Sequence, residues 1–390
     1  MRRKLIVLLM LVCIACISCF VLTGCGGLTG DNSNGTSTEQ SGGDNKNDNQ
    51  HNGGESFSIP AGDYSVGLEY ELLDDVNAYS VIWLGTCEDF DIKIPPTCNG
   101  LPVVEIADGA FEECYWIKSV IIPDSVVSIV DCAFAQTGLT SIIIPKSVTE
   151  IGSGTFYGCY NLTNIQVAED NPNYKSIDGN LYSKDGKTFI AYAPGKMTTS
   201  FDIPEGVEVI ADDAFEGCGV LINITIPNTI KSIGGDAFSE CYRLKYTEQD
   251  GLYYLGNSTN KYLYLTDCAW EATSVNINPN CKFIGDYALS GCDSLTSVVI
   301  PDSVTSIGDS AFWSCDSLTS VTIGNSVTSI GDSAFYYCSS LTSVVFKDTT
   351  TWYRRCVDDG VYDYLEEIDV TNPTANANIC QNSSNGLYKK

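Results

Sequence analysis

From residue 110 onward the apolar positions recur in a cycle of 23. Ala110 and Ala133, Ala214 and Ala237, and then Ala288, Ala311 and Ala334 are each 23 apart, and Thr155-Phe156 opens a further unit after one deletion. Within one cycle Leu295, Val298 and Ile300 supply the inward points of a short strand while Ser297 and Val299 point outward, because strand side chains alternate. Pro301, which has no backbone donor, ends the strand. Val304 and Ile307 start a second inward segment. Gly308-Asp309 then turns the chain, and Asp309 is placed to N-cap a short helical turn that carries Ala311, Phe312 and Cys315 inward. No coil of this kind buries its apolar edge alone, so neighbours are expected to stack into one continuous core with strands about 4.8 Å apart.

Two stretches lengthen the cycle. Residues 168–199, with Leu181-Tyr182, Asp185-Gly186 and Phe189 to Tyr192, predict a hairpin with a D-G turn, and residues 246–272 predict another from Leu252–Leu255 and Tyr262–Leu265. An open solenoid needs its ends covered. Residues 57–109 alternate well (Leu68, Tyr70, Leu72; Ile92, Ile94) and predict an N-terminal β cap, and 347–390 a C-terminal β cap. The fold class is therefore α+β and strand-dominated: a solenoid over 110–346 with short helical turns, two β-hairpin insertions and β caps at both ends.

A fixed period between 20 and 29 with an L-x-x-L-x-L-like core is the mark of a leucine-rich repeat. The unit A-F-x-x-C-x-x-L-x-S-V-x-I-P-x-S-V-x-x-I-G resembles the BspA-type leucine-rich repeats of bacterial surface proteins, over residues 57–390 when the caps are included. The resemblance implies a non-catalytic surface protein that adheres to host matrix proteins, host cells or other bacteria. An envelope protein that captures polysaccharide, or a structural scaffold, is the alternative.

The beginning of the sequence gives an address. Arg2-Arg3-Lys4 precedes Leu5 to Leu22, which carries no charge, and then Leu22-Thr23-Gly24-Cys25. A basic start, an apolar run and small residues at the break read as a secretory signal over 1–24. The tetrapeptide resembles a bacterial lipobox, which makes Cys25 the lipidated residue and places the protein outside the cytoplasm, held to the membrane by its N-terminal lipid alone. Residues 26–56 hold one aliphatic side chain, Leu28, among Gly, Asn, Asp, Ser and Thr, and such a stretch is expected to be a flexible tether.

Charge and composition narrow the chemistry. With 21 Lys+Arg against 49 Asp+Glu the chain carries a formal −28, which excludes a phosphate-tracking nucleic-acid binder. The one histidine, His51, falls in the tether, so neither a histidine-based catalytic pair nor a multi-histidine metal site can be assembled. No cofactor and no metal site is expected. Of the cysteines, Cys114, Cys159, Cys218, Cys241, Cys292, Cys315 and Cys338 share one repeat position, and Thr137 occupies it in another unit. A small side chain in the same register indicates packing, and these are expected to be buried free thiols. Export permits disulfides, with Cys87 and Cys98 the first candidate pair. Asp286, Asp309 and Asp332 recur once per coil; a row of carboxylates suits calcium, but turn caps require the same residue and no calcium loop is present.

Two sets of residues are candidates for partner binding. The outward strand positions form a ladder of Ile121, Ile143, Gln166, Asp202, Thr225, Asn276, Val299, Thr322 and Val345, and solenoids bind through such continuous faces. The hairpin tyrosines Tyr182, Tyr192, Tyr254 and Tyr264, with Tyr253 and Tyr262, offer rings that either grip a protein or sugar or cover the adjoining core.

Overall fold

Among the described residues short parallel strands pair from coil to coil in two ladders, each interrupted into separate sheets. The computed structural model describes residues 62–269, 275–358, 362–382 and 385–389. The export segment, Cys25, the tether and His51 lie outside the described residues. In the first ladder Ser297–Val299, Ser320–Ile323 and Ser343–Phe346 pair in parallel, residue i against i+23, so that Val299, Thr322 and Val345 stand side by side. The second ladder consists largely of two-residue strands such as Phe283–Ile284, Ser306–Ile307 and Ser329–Ile330. The alternation read from sequence holds. Leu295, Val298 and Ile300 are buried, as are Val304, Ile307, Ala311, Phe312 and Cys315, whereas Val299 is 59% exposed.

The turns are not helical. Residues 309–314 form successive β-turns, Trp313 N–H donating to Ser310 C=O and Cys315 N–H to Phe312 C=O. Ser310 and Ser314 both take positive φ, which breaks any helical run. The expected role of Asp309 changes accordingly. Its carboxylate accepts the backbone N–H of Asp332 in the next coil at 2.7 Å, and Asp286 accepts that of Asp309 at 2.6 Å. Asp131 and Asp212 do the same for Ser153 and Gly235. These aspartates stitch coil to coil instead of capping their own turn. The preceding glycine makes room: a Cβ on Gly331 would lie 2.2 Å from Asp309 Oδ1.

The core is not continuous. It divides into three clusters, one reaching from Leu68 to Ala193, one from Tyr182 to Phe283 and one from Leu252 to Leu387. Each insertion proves to be a three-stranded antiparallel meander, Tyr174–Ile177, Asn180–Ser183 and Thr188–Ala191 in one, Thr247–Gln249, Leu252–Leu255 and Tyr264–Cys268 in the other. The last strand of each meander becomes the first rung of a new parallel ladder, against Val209–Ile210 and Phe283–Ile284. The N-terminal hairpin Glu69–Leu73 and Ala78–Trp83 starts the first ladder in the same way, with Leu101–Ile106 as its parallel neighbour. Inside a module, aromatic rings continue the stack: Phe111 on Phe134 at 5.6 Å, Phe215 on Phe238 at 5.3 Å and Phe312 on Phe335 at 4.9 Å.

The C-terminal cap carries an element that a purely β cap lacks. A helix, Pro373–Asn382, follows the antiparallel strands Trp352–Asp358 and Tyr362–Ile368. Asn372 caps it, accepting from the N–H groups of Thr374 and Ala375, and proline suits the first helical position because it has no N–H to satisfy. The helix covers the last long strand, and Asn376 Nδ2 donates to Val344 C=O at 3.0 Å.

In the repeat register cysteine behaves as packing with one exception among the described residues. Cys114, Cys159, Cys218, Cys241, Cys315 and Cys338 are buried and free. Cys159, Cys241, Cys315 and Cys338 each donate S–H to a backbone carbonyl of the preceding coil, that of Phe134, Phe215, Leu289 and Phe312 respectively. Thr137 fills the same register but donates to Phe134 C=O within its own turn. Cys292 departs from the ladder by a disulfide to Cys268, which the second meander brings one coil away. The expected Cys87–Cys98 pair does not form, and both are buried free thiols. Burial pushes the Cys98 thiol up to about 11 and that of Cys281 up to about 12, so neither is reactive in the fold. Titration of the denatured, unreduced protein with a thiol reagent is expected to find most of the cysteines after Cys25 reactive, with reductant adding the pair Cys268 and Cys292. A protein whose sulfurs stay silent until reduction contradicts this packing role.

Candidate functional site

The outward positions of the long-strand ladder form the candidate surface. Ile121, Ile143 and Val299 are 58%, 57% and 59% exposed, and Val345 is 39% exposed. Apolar side chains this open, repeated on parallel strands, cost hydration that a partner would remove. Their neighbours on the face are polar. Ile121 pairs with Lys93, Ile143 with Gln166, and Val299 and Val345 flank Thr322. Asp202, Gln166 and Asn276 are exposed, and Thr225 and Thr322 are half-buried.

A second polar row beside this face is already committed to the fold. Thr319 Oγ1 donates to Thr296 C=O at 2.8 Å, Thr342 Oγ1 to Thr319 C=O at 3.2 Å and Thr163 Oγ1 to Thr140 C=O at 3.3 Å. These hydroxyls join coils across the period and are not presented to a ligand. The outward aliphatic residues make no such bond, which leaves them as the part of the face without a structural task.

The tyrosines are corrected by the structure. Tyr182, Tyr192, Tyr254 and Tyr264 are 1%, 3%, 0% and 7% exposed, too little for any of them to grip a partner. Tyr182 packs edge-on against Phe189 at 4.9 Å, and Tyr264 lies 5.6 Å from Phe238. A bulge between Leu181 and Tyr182, and another between Tyr253 and Tyr254, upsets simple alternation and turns these rings into the stack. Only Tyr253 and Tyr262 of this set are half-buried.

Concave sites occur where the meanders interrupt the stack of turns. A cavity of about 180 Å³ lies between Ser153–Tyr157 and Asp212–Ala214, with Glu216 on its wall. Ser153 Oγ donates to Asp213 Oδ2 and Tyr157 OH to Glu240 Oε2 at 3.1 Å, closing the gap left by the missing turn. Burial, followed by the charges of Asp213, Asp236 and Glu240, pushes the Glu216 carboxyl up to about 8. Among the described residues no group of three or more His, Cys, Asp or Glu is arranged to hold a metal ion.

Coil length, the inward Leu-Val-Ile set and the turn-borne Ala-Phe-Cys set define one repeat type. The chain matches the model of the BspA type leucine rich repeat region, in 6 copies, over residues 104–190, 191–265 and 257–376. It belongs to this family. The BspA-type chain is similar to a leucine-rich cell surface protein from Faecalibacterium prausnitzii, with 32% identity over 66% of this chain and 59% of that one and a TM-score of 0.40. It is also similar to the pneumococcal vaccine antigen PcpA, with 22% identity over 67% of this chain and 57% of that one and a TM-score of 0.42. A leucine-rich repeat protein from Eubacterium ventriosum shares 22% identity over 77% of this chain and 98% of that one, with a TM-score of 0.34. The BspA-type chain thus spans less than two thirds of the first two of these proteins. No curated protein matches it.

Proposed function

We propose that this BspA-type protein is exported, anchored through a lipid on Cys25, and captures extracellular protein partners on the outward face of its long-strand ladder, without catalysis. The observation that carries the reading is the repeated exposure of Ile121, Ile143, Val299 and Val345 at the outward position of parallel strands, each strand paired in register with its own neighbour. Similarity to a protein described as a leucine-rich cell surface protein supports the location. The net charge of −28 favours basic partners at long range, with screening beyond about 8 Å at physiological salt.

The test replaces these four side chains by Ser in the full chain and compares capture of extracellular proteins by the parent and the variant. Capture is expected to fall at least about tenfold, the loss of roughly four partly buried aliphatic contacts. The melting temperature should stay within a few degrees, since surface substitutions change stability by about 0.5 kcal/mol. Undiminished capture contradicts the reading.

A further inference from the structure

We infer that the turn edge of the last three coils, residues 284–341, is a second docking surface, built to take an arginine-rich extended segment of a protein partner. It lies on the turns, away from the outward strand positions, and needs no contribution from that face.

The first observation is aromatic. Tyr287, Trp313 and Tyr337 are 53%, 39% and 56% exposed, although each sits beside a fully buried Ala-Leu or Ala-Phe pair. Trp313 and Tyr337 meet edge-to-face with centroids 5.9 Å apart, and Tyr336 lies 4.3 Å from Tyr337. The core does not require rings here. The equivalent position of Trp313 is Ala135 in one coil and Ser239 in another, and that of Tyr337 is Gly158 or Gly217. At this last position positive φ is a feature of the repeat, taken by Glu113, Gln136, Glu240 and Ser314 as well as by Tyr337. Exposed rings at positions that other coils fill with Ala, Ser or Gly point to a use other than folding.

The second observation is charge. From Phe283 to Phe346 the sequence contains no Lys or Arg. The turns of the same coils carry Asp286, Asp293, Asp309, Asp316 and Asp332, and among the described residues none of these five is ion-paired. Asp293 and Asp316 are exposed on the turns of these coils, each following the buried cysteine of its turn, and Asp316 accepts a hydrogen bond from Ser339 Oγ at 3.0 Å. Aromatic faces bordered by uncompensated carboxylates attract cations twice over, through the ring quadrupole and through direct charge. Arginine fits better than lysine, because its planar guanidinium stacks on a ring while it donates in-plane to a carboxylate. An extended chain places alternate side chains on one side at a spacing of about 6.6 Å. The rings of Trp313 and Tyr337 lie within 5.9 Å of each other, so two outward arginines of one such segment can reach both.

The experiment titrates the full chain into a fluorescein-labelled peptide of alternating Arg and Gly, about ten residues long, and into its Lys-Gly counterpart, reading fluorescence anisotropy. The Arg peptide should bind several-fold tighter than the Lys peptide. The double variant Trp313→Ala/Tyr337→Ala should weaken the Arg peptide about tenfold, which corresponds to two exposed cation–π contacts. Asp293→Asn/Asp316→Asn should weaken it and flatten its salt dependence, whereas Tyr115→Ala/Trp116→Ala, at the other end of the edge, should leave it unchanged. Trp313→Phe/Tyr337→Phe retains the rings and guards against a folding defect, and should bind nearly as the parent does. Equal affinity for both peptides together with no effect of Trp313→Ala/Tyr337→Ala would reduce the interaction to overall negative charge and overturn the inference. So would binding of oligosaccharides by these rings with no binding of the Arg peptide.

Discussion

Phe312→Ala is expected to cost about 4 kcal/mol, the range for truncating a fully buried aromatic ring. The side chain is 0% exposed, and its ring stacks on Phe335 at 4.9 Å. The residue's own N–H also bonds to Ala334 C=O at 2.7 Å, so the turn that carries the ring is tied to the next coil and cannot easily collapse into the void. In a solenoid each coil contacts only its neighbours, which makes stability a sum of local terms. The loss should therefore appear first in the module from Leu252 to Leu387, with amide exchange there accelerating more than in the module that begins at Leu68. Denaturant unfolding followed by amide exchange measures both. A cost below about 1 kcal/mol would show that the turn is not part of the core.

Stability is expected to fall as pH rises from about 4.5 to 8, against the usual trend of acid-labile proteins. Burial pushes the Glu216 carboxyl up to about 8, with neighbouring carboxylates adding to the effect, and pushes Asp286 up to about 6. Asp213 and Asp309 are raised for the same first reason. For such groups the folded state binds protons more tightly than the unfolded state. Their stabilising effect is complete below the unfolded carboxyl range and is lost as pH climbs through the folded values. Asp348 works in the other direction: hydrogen bonds from Lys389 and Thr350 hold it down at about 2, so its contribution is lost only as pH drops toward that value. The melting temperature should thus be higher at pH 5 than at pH 8. Glu216→Gln should raise the unfolding free energy at pH 8, by an amount on the order of 1 kcal/mol once solvent screening of a half-buried group is discounted, and change it little at pH 5. A melting temperature that rises between pH 5 and pH 8, or a variant that shows no pH-dependent difference, contradicts this account.

What the sequence reveals and conceals follows from the range of the interactions involved. Inward Leu295, Val298 and Ile300 against outward Val299 are legible because alternation is a local property of a strand. The role of Asp309 is not, since a carboxylate beside a turn looks the same whether it caps that turn or accepts an N–H from 23 residues away. The same holds for the threonine rows and for the S–H bonds of Cys315 and Cys338, all of which cross a coil boundary. The tyrosines Tyr182 and Tyr254 were open to both readings because one bulge in a meander reverses which side a ring takes. Asn372-Pro373 held a readable helix start that the extended pattern around Trp352 and Ile368 concealed. On the candidate surface, Ile121, Ile143, Val299 and Val345 were legible from their place in the repeat. Trp313 and Tyr337 do not stand out in the repeat pattern, because they occupy different positions of their coils and polar or small residues fill those positions in other coils.

The central claim is that partners are held by the outward face of the long strands, and hydroxyl-radical footprinting of the full chain tests it most directly, with and without a captured partner. The account predicts protection of Ile121, Ile143, Val299 and Val345, which are accessible in the free protein, and no change at buried residues such as Tyr254. Unchanged labelling of these four side chains while protection falls only on the turns or the caps would contradict it.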